Sequence, residues 1–244
     1  GNTEVTNYFV TDTMKVTSSG VIGSVRISEN TIGMASVTKL GGDSYSTVEN
    51  FVTPQTNELW YYAKNDTSKT DVNRVEDTWW WQLINDNNYL LCVNNSYSGA
   101  TIGYRGYDGN DYSERSFLKR MRNIGSPDVL LIFGATNDSW SGEVVGNYKW
   151  NNWEQGDFYA FRPAMAYMLN WLTLHHPNMK IYFLINSELR EDITESCVEI
   201  CNHYNVPYIQ LVNIEKKNGH PTVKGMKAIA AQVEVVVGKN KGKK

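Results

Sequence analysis

The sequence predicts a three-layer α/β domain in which a five-stranded parallel sheet is covered by helices on both faces. Strand-like and helix-like segments alternate after residue 34, and such alternation is typical of parallel sheets. Several strand-like segments are continuous apolar runs, as expected of strands that are buried on both faces. With 244 residues, of which 41% are hydrophobic, the chain is long enough to form one large domain around a sizeable core.

Five apolar segments predict the strands of this sheet. The first ends at a pair of glycines, and the second and third are unbroken apolar runs. In chain order they are MASVTKL (34–40), YLLCV (89–93), DVLLIFGA (128–135), KIYFLIN (180–186) and PYIQLV (207–212).

Five further segments predict helices that lie between the strands or follow them. Ser113 is a candidate cap for the second helix, and Pro163 lies in the first turn of the third, where proline is tolerated. The segments are RVEDTWWWQLI (74–84), SERSFLKRM (113–121), FRPAMAYMLNWLTLHH (161–176), LREDITESCVEICNHY (189–204) and PTVKGMKAIAAQVEVVV (221–237).

The chain divides into one principal domain with a short piece at each end. Residues 34–238 form the α/β domain. Residues 1–33 predict an N-terminal β extension, because apolar and polar residues alternate over 4–31 between turn signals. Residues 239–244 form a basic tail, whose expected role is to keep a frayed end in solution.

Composition excludes several classes of function. The formal net charge of −3 gives no electrostatic case for a nucleic-acid partner. No apolar run approaches the roughly 20 residues that a membrane-spanning helix needs. No group of His, Cys, Asp or Glu residues has the spacing of metal ligands, so the sequence predicts neither a metal site nor a cofactor. The three cysteines do not make a disulfide framework.

The chain opens on Gly1-Asn2, without a methionine. Removal of a secretion signal would account for such a start. The expectation is therefore a periplasmic or secreted protein.

Four loops fall at the carboxyl ends of predicted strands, where an open parallel sheet binds its ligands. Each loop contains small residues that let the backbone approach a ligand. The loops are GGDSYST (41–47), NNSYSGAT (94–101), GATND (134–138) and NGHPT (218–222). Together they bring a serine, a glycine, an asparagine and a histidine to one edge of the sheet.

These four residues suit acyl transfer. A serine hydroxyl needs a base before it attacks a carbonyl, and His220 would take the proton from Ser44. The tetrahedral intermediate carries an oxyanion that needs converging donors, which the N–H groups of Ser44 and Gly99 and the side-chain amide of Asn137 would supply. Each residue also has a simpler interpretation, with Ser44 as a helix cap and Gly99 and Asn137 as turn residues.

The four loops resemble the four sequence blocks of the SGNH hydrolase superfamily, also called GDSL-like lipases and acylhydrolases. The stretch DSYS (43–46) matches the nucleophile block, and Gly99, Asn137 and His220 match the glycine, asparagine and histidine blocks in the same order. The resemblance covers about residues 34–238. It implies a flavodoxin-like sheet and the hydrolysis of esters, including acetyl groups on sugars and short-chain or lipid esters.

The histidine block departs from the family pattern, which usually has an aspartate three residues before the histidine. Lys217 occupies that position in this chain. Three alternatives stay open: Glu215 folds back to His220, a serine–histidine dyad operates with a backbone carbonyl or Asn218 orienting the ring, or the activity is weakened or lost. The acid fixes the tautomer and stabilises the imidazolium, so its loss without replacement costs up to about 10⁴ in rate.

The sequence favours an O-acetyl or other short acyl ester on a carbohydrate as the substrate. Aromatic loops suit stacking on sugar rings, and no long apolar run is available to receive a fatty chain. Four aromatic residues that follow Asn137 are expected near the sugar: Trp140, Tyr148, Trp150 and Trp153. The alternatives are a lipase or thioesterase for longer acyl chains, and a carbohydrate-binding scaffold without turnover. The expected partner is thus a small-molecule or polysaccharide ester, and the oligomeric state is left open.

Overall fold

The computed structural model describes residues 37–63, 67–125 and 127–238. The predicted N-terminal β extension, residues 1–33, and the basic tail, residues 239–244, lie outside the described residues. The described part of the chain therefore covers most of the predicted α/β domain.

Five parallel strands form one sheet in the order β2-β1-β3-β4-β5, which confirms the predicted α/β class. The strand order reverses between β1 and β3, and ligands bind at such a reversal, beyond the carboxyl ends of the strands. The loops after β1 and β3 are therefore the ones that border the binding crevice. The strands are β1 (Val37–Gly42), β2 (Leu90–Asn94), β3 (Val129–Gly134), β4 (Lys180–Ile185) and β5 (Tyr208–Gln210).

Six α-helices occur within the described ranges. They are α1 (Trp79–Asp86), α2 (Phe117–Arg120), α3 (Thr136–Trp140), α4 (Phe161–His175), α5 (Glu191–His203) and α6 (Val223–Val237). The helices predicted over 161–176, 189–204 and 221–237 are present within two residues of those bounds. None of the helices in this part of the chain combines the length and the apolar character that crossing a membrane requires.

The helix predicted over 74–84 begins later than expected. Val75–Asp77 form a 3₁₀ turn, and the α-helix starts only at Trp79. The cause lies at Thr78, whose hydroxyl donates to the Val75 carbonyl at 2.7 Å while its backbone is extended. The turn and the α-helix are therefore separate elements.

The helix predicted over 113–121 is also broken, and Ser116 rather than Ser113 caps α2. The Ser116 hydroxyl oxygen accepts a hydrogen bond from the Lys119 amide at 3.1 Å. The extended backbone of Ser116 separates α2 from a preceding 3₁₀ turn that contains Ser113.

The sheet divides the hydrophobic core into two. Leu130 and Ile132 of β3 belong to the core that includes α2, α4 and α5, whereas Leu131 and Phe133 belong to the core that includes α1 and α6. All four side chains are at most 2% exposed. Burial of a side chain of this size stabilises the fold by about 1.5–3 kcal/mol. This is the predicted three-layer arrangement, because successive side chains of a strand point to opposite faces.

A short antiparallel hairpin, β6 (Lys216–Lys217) and β7 (His220–Pro221), follows β5. Its turn is Asn218-Gly219, and both residues have left-handed φ angles, 50° and 76°. Asn-Gly is the preferred pair for a two-residue hairpin turn, because both residues tolerate positive φ. The hairpin carries His220 to the loop that follows β1.

Candidate active site

Ser44 follows β1 in a single 3₁₀ turn, Ser44–Ser46. Asp43 caps this turn, because its Oδ1 accepts a hydrogen bond from the Tyr45 amide at 3.1 Å. His220 Nε2 lies 2.8 Å from the Ser44 hydroxyl oxygen, although the two residues are 176 positions apart. The structure thus brings the predicted nucleophile and the predicted base into direct contact.

A backbone carbonyl orients the imidazole of His220. Its Nδ1 lies 3.1 Å from the carbonyl oxygen of Asn218. A carbonyl oxygen only accepts, so Nδ1 carries the hydrogen and donates it. Nε2 is then the unprotonated nitrogen and accepts the hydrogen of the Ser44 hydroxyl. This is the tautomer that a base for serine requires.

Glu215, one of the predicted candidates for the third position, does not contact the histidine. Its carboxylate accepts hydrogen bonds from Thr222 Oγ1 at 2.7 Å and from Lys224 Nζ at 2.9 Å. Those two partners lie at the start of α6, and they hold the carboxylate there. The hypothesis that Glu215 folds back to His220 is therefore wrong.

Asn218 reaches the histidine through its main chain and not through its side chain. The side-chain Nδ2 donates to the carbonyls of Ser68 and Lys69, at 3.4 and 3.1 Å. Of the alternatives that the sequence left open, the geometry matches the dyad in which a backbone carbonyl orients the ring.

Trp60, which the sequence does not indicate as a site residue, stacks its indole on the imidazole of His220. The ring centroids are 3.5 Å apart and the planes are 6° from parallel. The Trp60 amide donates to Thr47 Oγ1 at 2.9 Å, which anchors the residue beside the loop after β1. Lys69 places its ammonium 3.9 Å from the centroid of the indole. The contact joins distant parts of the chain, so no local pattern around Trp60 indicates it.

The environment keeps His220 neutral. Burial is the largest cause and the positive charges of Lys69 and Lys216 add to it, so the pKa of His220 falls from an ordinary 6.5 to about 4. The hydrogen bond to the Asn218 carbonyl opposes this shift. At neutral pH the ring is therefore unprotonated and able to accept a proton.

The glycine and asparagine loops meet beside Ser44. Asn137 is the second residue of α3, which follows β3, and its Nδ2 donates to the Ala100 carbonyl at 3.0 Å. Gly99, which precedes Ala100, has a φ of 77°, and a residue with a side chain adopts that angle only with strain. The Tyr97 amide donates to the Gly42 carbonyl at 3.0 Å, which ties this loop to the end of β1.

The sequence matches the model of the GDSL-like lipase/acylhydrolase family over residues 35–237. The chain belongs to this family. It is therefore a carboxylic ester hydrolase. A solved structure named as a GDSL-like lipase from Bacteroides ovatus ATCC 8483 is 50% identical, with a TM-score of 0.82 over 84% of this chain and 99% of that one. A second one, from Bacteroides uniformis ATCC 8492, is 43% identical, with a TM-score of 0.83 over 86% and 98%.

A more distant solved structure shares the fold. The acetyl xylan esterase from the rumen bacterium Butyrivibrio proteoclasticus is 17% identical, with a TM-score of 0.56 over 85% of this chain and 64% of that one. No curated protein matches the chain.

Trp140, one of the four aromatic residues that the sequence predicts near a sugar, lies beside His220 in this GDSL-like hydrolase. Its ring centroid is 5.7 Å from that of His220. The same ring covers the hairpin turn, because a Cβ added to Gly219 would lie 3.0 Å from it. Trp140 is 41% exposed, so it presents an aromatic surface to solvent beside the histidine.

The other three predicted sugar-binding residues pack against helices instead. Tyr148 stacks on Trp150 with centroids 5.4 Å apart, and Trp150 stacks on His203 of α5 at 3.8 Å. Trp153 meets Tyr167 of α4 at 5.5 Å. Trp150 and Trp153 pack against the core that includes α4 and α5, whereas Tyr148 is 37% exposed beside Trp150. A place beside the substrate stays a prediction for these three residues.

Two buried carboxyl groups flank the catalytic loops of this GDSL-like hydrolase. Burial raises the pKa of Asp43 to about 6 and that of Asp138 to about 7. Asp138 Oδ1 accepts from the Ile102 amide at 2.9 Å, so this residue fixes the loop after β2 against α3. Among the residues that the structure describes, no three His, Cys, Asp or Glu side chains are placed to hold a metal ion.

Proposed function

We propose that the protein is a serine esterase that hydrolyses O-acetyl or other short acyl esters of a carbohydrate, with Ser44 as nucleophile and His220 as base. The observation that carries the proposal is the 2.8 Å contact between Ser44 Oγ and His220 Nε2, together with the 3.1 Å contact of His220 Nδ1 with the Asn218 carbonyl. The first contact supplies the proton acceptor, and the second sets its tautomer.

Acylation begins when Nε2 of His220 takes the proton of the Ser44 hydroxyl. The oxygen attacks the ester carbonyl, and the tetrahedral intermediate places a negative charge on the former carbonyl oxygen. The N–H groups of Ser44 and Gly99 and the Asn137 amide donate to that oxygen. His220 then returns the proton to the leaving alcohol, and the acyl group stays on Ser44.

Deacylation repeats these steps with water. His220 removes a proton from the water, whose oxygen attacks the acyl carbonyl. Collapse of the second tetrahedral intermediate breaks the bond to Ser44. The proton on Nε2 goes to the serine oxygen, and the carboxylic acid leaves.

The dyad replaces the usual aspartate with two neutral groups. The Asn218 carbonyl accepts the Nδ1 hydrogen throughout the cycle and keeps Nε2 towards Ser44. The face of Trp60 carries the negative part of the ring quadrupole, which favours the imidazolium that forms during each proton transfer. These two contacts support turnover without an acid at position 217.

The leaving alcohol receives its proton from His220, so it must lie near that ring. Trp140 offers an exposed aromatic surface there, and such a surface suits the apolar face of a sugar. A sugar hydroxyl is also the leaving group of acetyl xylan, the substrate that names the Butyrivibrio proteoclasticus neighbour. These two points support a carbohydrate ester over a lipid.

The test measures hydrolysis of p-nitrophenyl acetate, butyrate and octanoate, and release of acetate from acetylated xylan. Ser44→Ala and His220→Ala are expected to abolish activity on acetate. His175→Ala, which changes an exposed histidine at the end of α4, is the matched control and is expected to be fully active. Activity that rises with acyl length would favour the lipase alternative. If the wild-type protein were inactive on every ester, the proposal would be contradicted, and a carbohydrate-binding scaffold without turnover would be favoured.

A further inference from the structure

The side-chain amide of Asn137 is held at both ends. Its Nδ2 donates to the Ala100 carbonyl at 3.0 Å, and its Oδ1 accepts from the Tyr107 hydroxyl at 3.0 Å. Asn137 itself is 3% exposed, so water does not compete freely for these positions. Tyr107 lies in the loop between β2 and α2 and is absent from every sequence block that the family resemblance uses.

These partners allow one orientation of the amide. The Ala100 carbonyl has no hydrogen to give, so it faces the NH₂ group and not the oxygen. Oδ1 then faces Tyr107, whose hydroxyl must donate. Burial raises the pKa of Tyr107 to about 12, so the hydroxyl keeps its hydrogen across the working pH range.

The fixed orientation leaves one N–H of Asn137 unused. Nδ2 has two hydrogens and Ala100 takes one. The second is free for the oxygen of the reacting ester. In the reversed orientation Oδ1 would face the developing oxyanion. The partial negative charge of the amide oxygen would then repel the negative charge of the oxyanion.

We infer that Tyr107 is a positioning residue of the oxyanion site, whose hydroxyl keeps the free N–H of Asn137 directed at the reacting carbonyl oxygen. This inference rests on the proposed function. A hydrogen bond to Oδ1 also polarises the amide, so the N–H of Asn137 becomes a stronger donor.

The loop around Tyr107 has its own supports, which separate this role from a structural one. The Tyr112 amide donates to the Tyr104 carbonyl at 2.7 Å, and the Gly106 amide donates to the Asn110 carbonyl at 2.8 Å. Neither bond involves the Tyr107 hydroxyl. Its removal therefore leaves the loop closed and changes the surroundings of Asn137.

A double-mutant cycle on p-nitrophenyl acetate tests the inference. Tyr107→Phe is expected to lower kcat roughly tenfold with KM changed less than twofold, since one hydrogen bond is lost. Asn137→Ala is expected to lower kcat by about 10²–10³. In the Asn137→Ala background, Tyr107→Phe is expected to have no further effect, because the group through which it acts is gone. Asn137→Ser replaces Asn137→Ala in the cycle if the alanine variant does not fold.

Tyr159→Phe is the matched control. The Tyr159 hydroxyl donates to Asp111 of the same loop at 3.2 Å but does not contact Asn137, so this variant is expected to keep full kcat. The inference is overturned if Tyr107→Phe keeps full kcat, or if it lowers kcat by the same factor with and without Asn137→Ala. It is also overturned if Tyr159→Phe lowers kcat as much as Tyr107→Phe does, or if Asn137→Ala is fully active. Activity that survives Ser44→Ala would instead overturn the proposed function.

Discussion

The indole of Trp60 lies flat on the imidazole of His220, with ring centroids 3.5 Å apart and planes 6° from parallel. The stack fixes the plane of the imidazole, and the Asn218 carbonyl, 3.1 Å from Nδ1, fixes its tautomer. In the usual triad an aspartate holds the imidazole in the right tautomer and orientation. This chain has Lys217 where the family has that aspartate, and in the proposed mechanism the two neutral contacts orient the ring instead.

Trp60→Ala is expected to lower kcat/KM for p-nitrophenyl acetate about tenfold. Stacking and cation–π contacts contribute about 0.5–2 kcal/mol, and 1.4 kcal/mol corresponds to a factor of ten. Trp60→Phe keeps an aromatic face, so its kcat/KM is expected to fall less than that of Trp60→Ala. Tyr62→Ala, which removes a 42% exposed aromatic ring from the same loop, is the control and is expected to be neutral. Unchanged kcat/KM in Trp60→Ala would show that the stack is packing alone.

As the pH is lowered, kcat/KM is expected to fall with a midpoint near pH 4. In the proposed mechanism the neutral form of His220 is the base. Its pKa is lowered to about 4, first by burial and then by Lys69 and Lys216. Activity is therefore present above that pH and is lost as the pH falls through it. Lys69→Gln removes one of the positive charges and is expected to move the midpoint to higher pH. A wild-type midpoint near 6.5, or a shift to lower pH in Lys69→Gln, would contradict the assignment.

Tyr45→Phe is expected to reduce both stability and kcat. The buried Tyr45 hydroxyl donates to the Gly219 carbonyl at 2.5 Å and so ties the turn of the nucleophile to the hairpin of the histidine. The same hydroxyl accepts a hydrogen bond from Asn186 Nδ2 at 3.1 Å, and loss of each bond costs about 1 kcal/mol in the free energy of unfolding. A looser hairpin also moves the neighbouring Asn218 carbonyl away from the imidazole. Urea denaturation and steady-state kinetics measure the two effects.

Tyr204→Phe is the matched control for that variant. The Tyr204 hydroxyl is also buried, but it has no hydrogen-bond partner within the described ranges. Its removal is expected to leave the free energy of unfolding unchanged or higher, because an unpaired buried hydroxyl is unfavourable. Equal losses in Tyr45→Phe and Tyr204→Phe would contradict the account of the hairpin.

Glu143→Gln is expected to weaken the dependence of stability on pH. Glu143 is 2% exposed, and neither carboxylate oxygen has a hydrogen-bond partner among the described residues. Burial, and then the charge of Asp138, raise its pKa from 4.5 to about 8. Between these values the folded protein holds a proton that the unfolded chain releases, so stability falls as the pH rises.

Urea denaturation at several pH values between 4.5 and 8 checks this prediction. The variant is expected to lose less stability than the wild type over that interval, since glutamine does not titrate. Glu76→Gln, which changes an exposed carboxylate, serves as control and is expected to follow the wild type. If the free energy of unfolding changed equally with pH in Glu143→Gln and the wild type, the claim that folded Glu143 holds a proton would be refuted.

The central strand β3 was predictable because its apolar composition decides it. The run VLLIFG (129–134) is buried on both faces of the sheet, and a run of that kind has few other places in a soluble fold. The loops that follow the strands were predictable for the same reason, since parallel strands deliver their carboxyl ends to one edge. The positions of Ser44 and His220 beside each other follow from that topology.

The orientation of the histidine was only partly predictable. Asn218-Gly219 is a strong hairpin signal, and it indicates a turn that leads into His220. The stacking partner Trp60 is not predictable in this way, because the contact depends on how a long loop folds in three dimensions. The packing of Trp150 was not predictable for a related reason, since its stack on His203 also joins distant parts of the chain.

The central claim is that Ser44 carries the acyl group in a covalent intermediate. Mass spectrometry of protein quenched rapidly during turnover of p-nitrophenyl acetate, followed by peptide mapping, tests this claim most directly. One added acetyl group is expected on Ser44 in the wild type, and none is expected on this peptide in Ser44→Ala. Steady turnover with the acetyl group on another residue, or turnover that persists in Ser44→Ala, would contradict it.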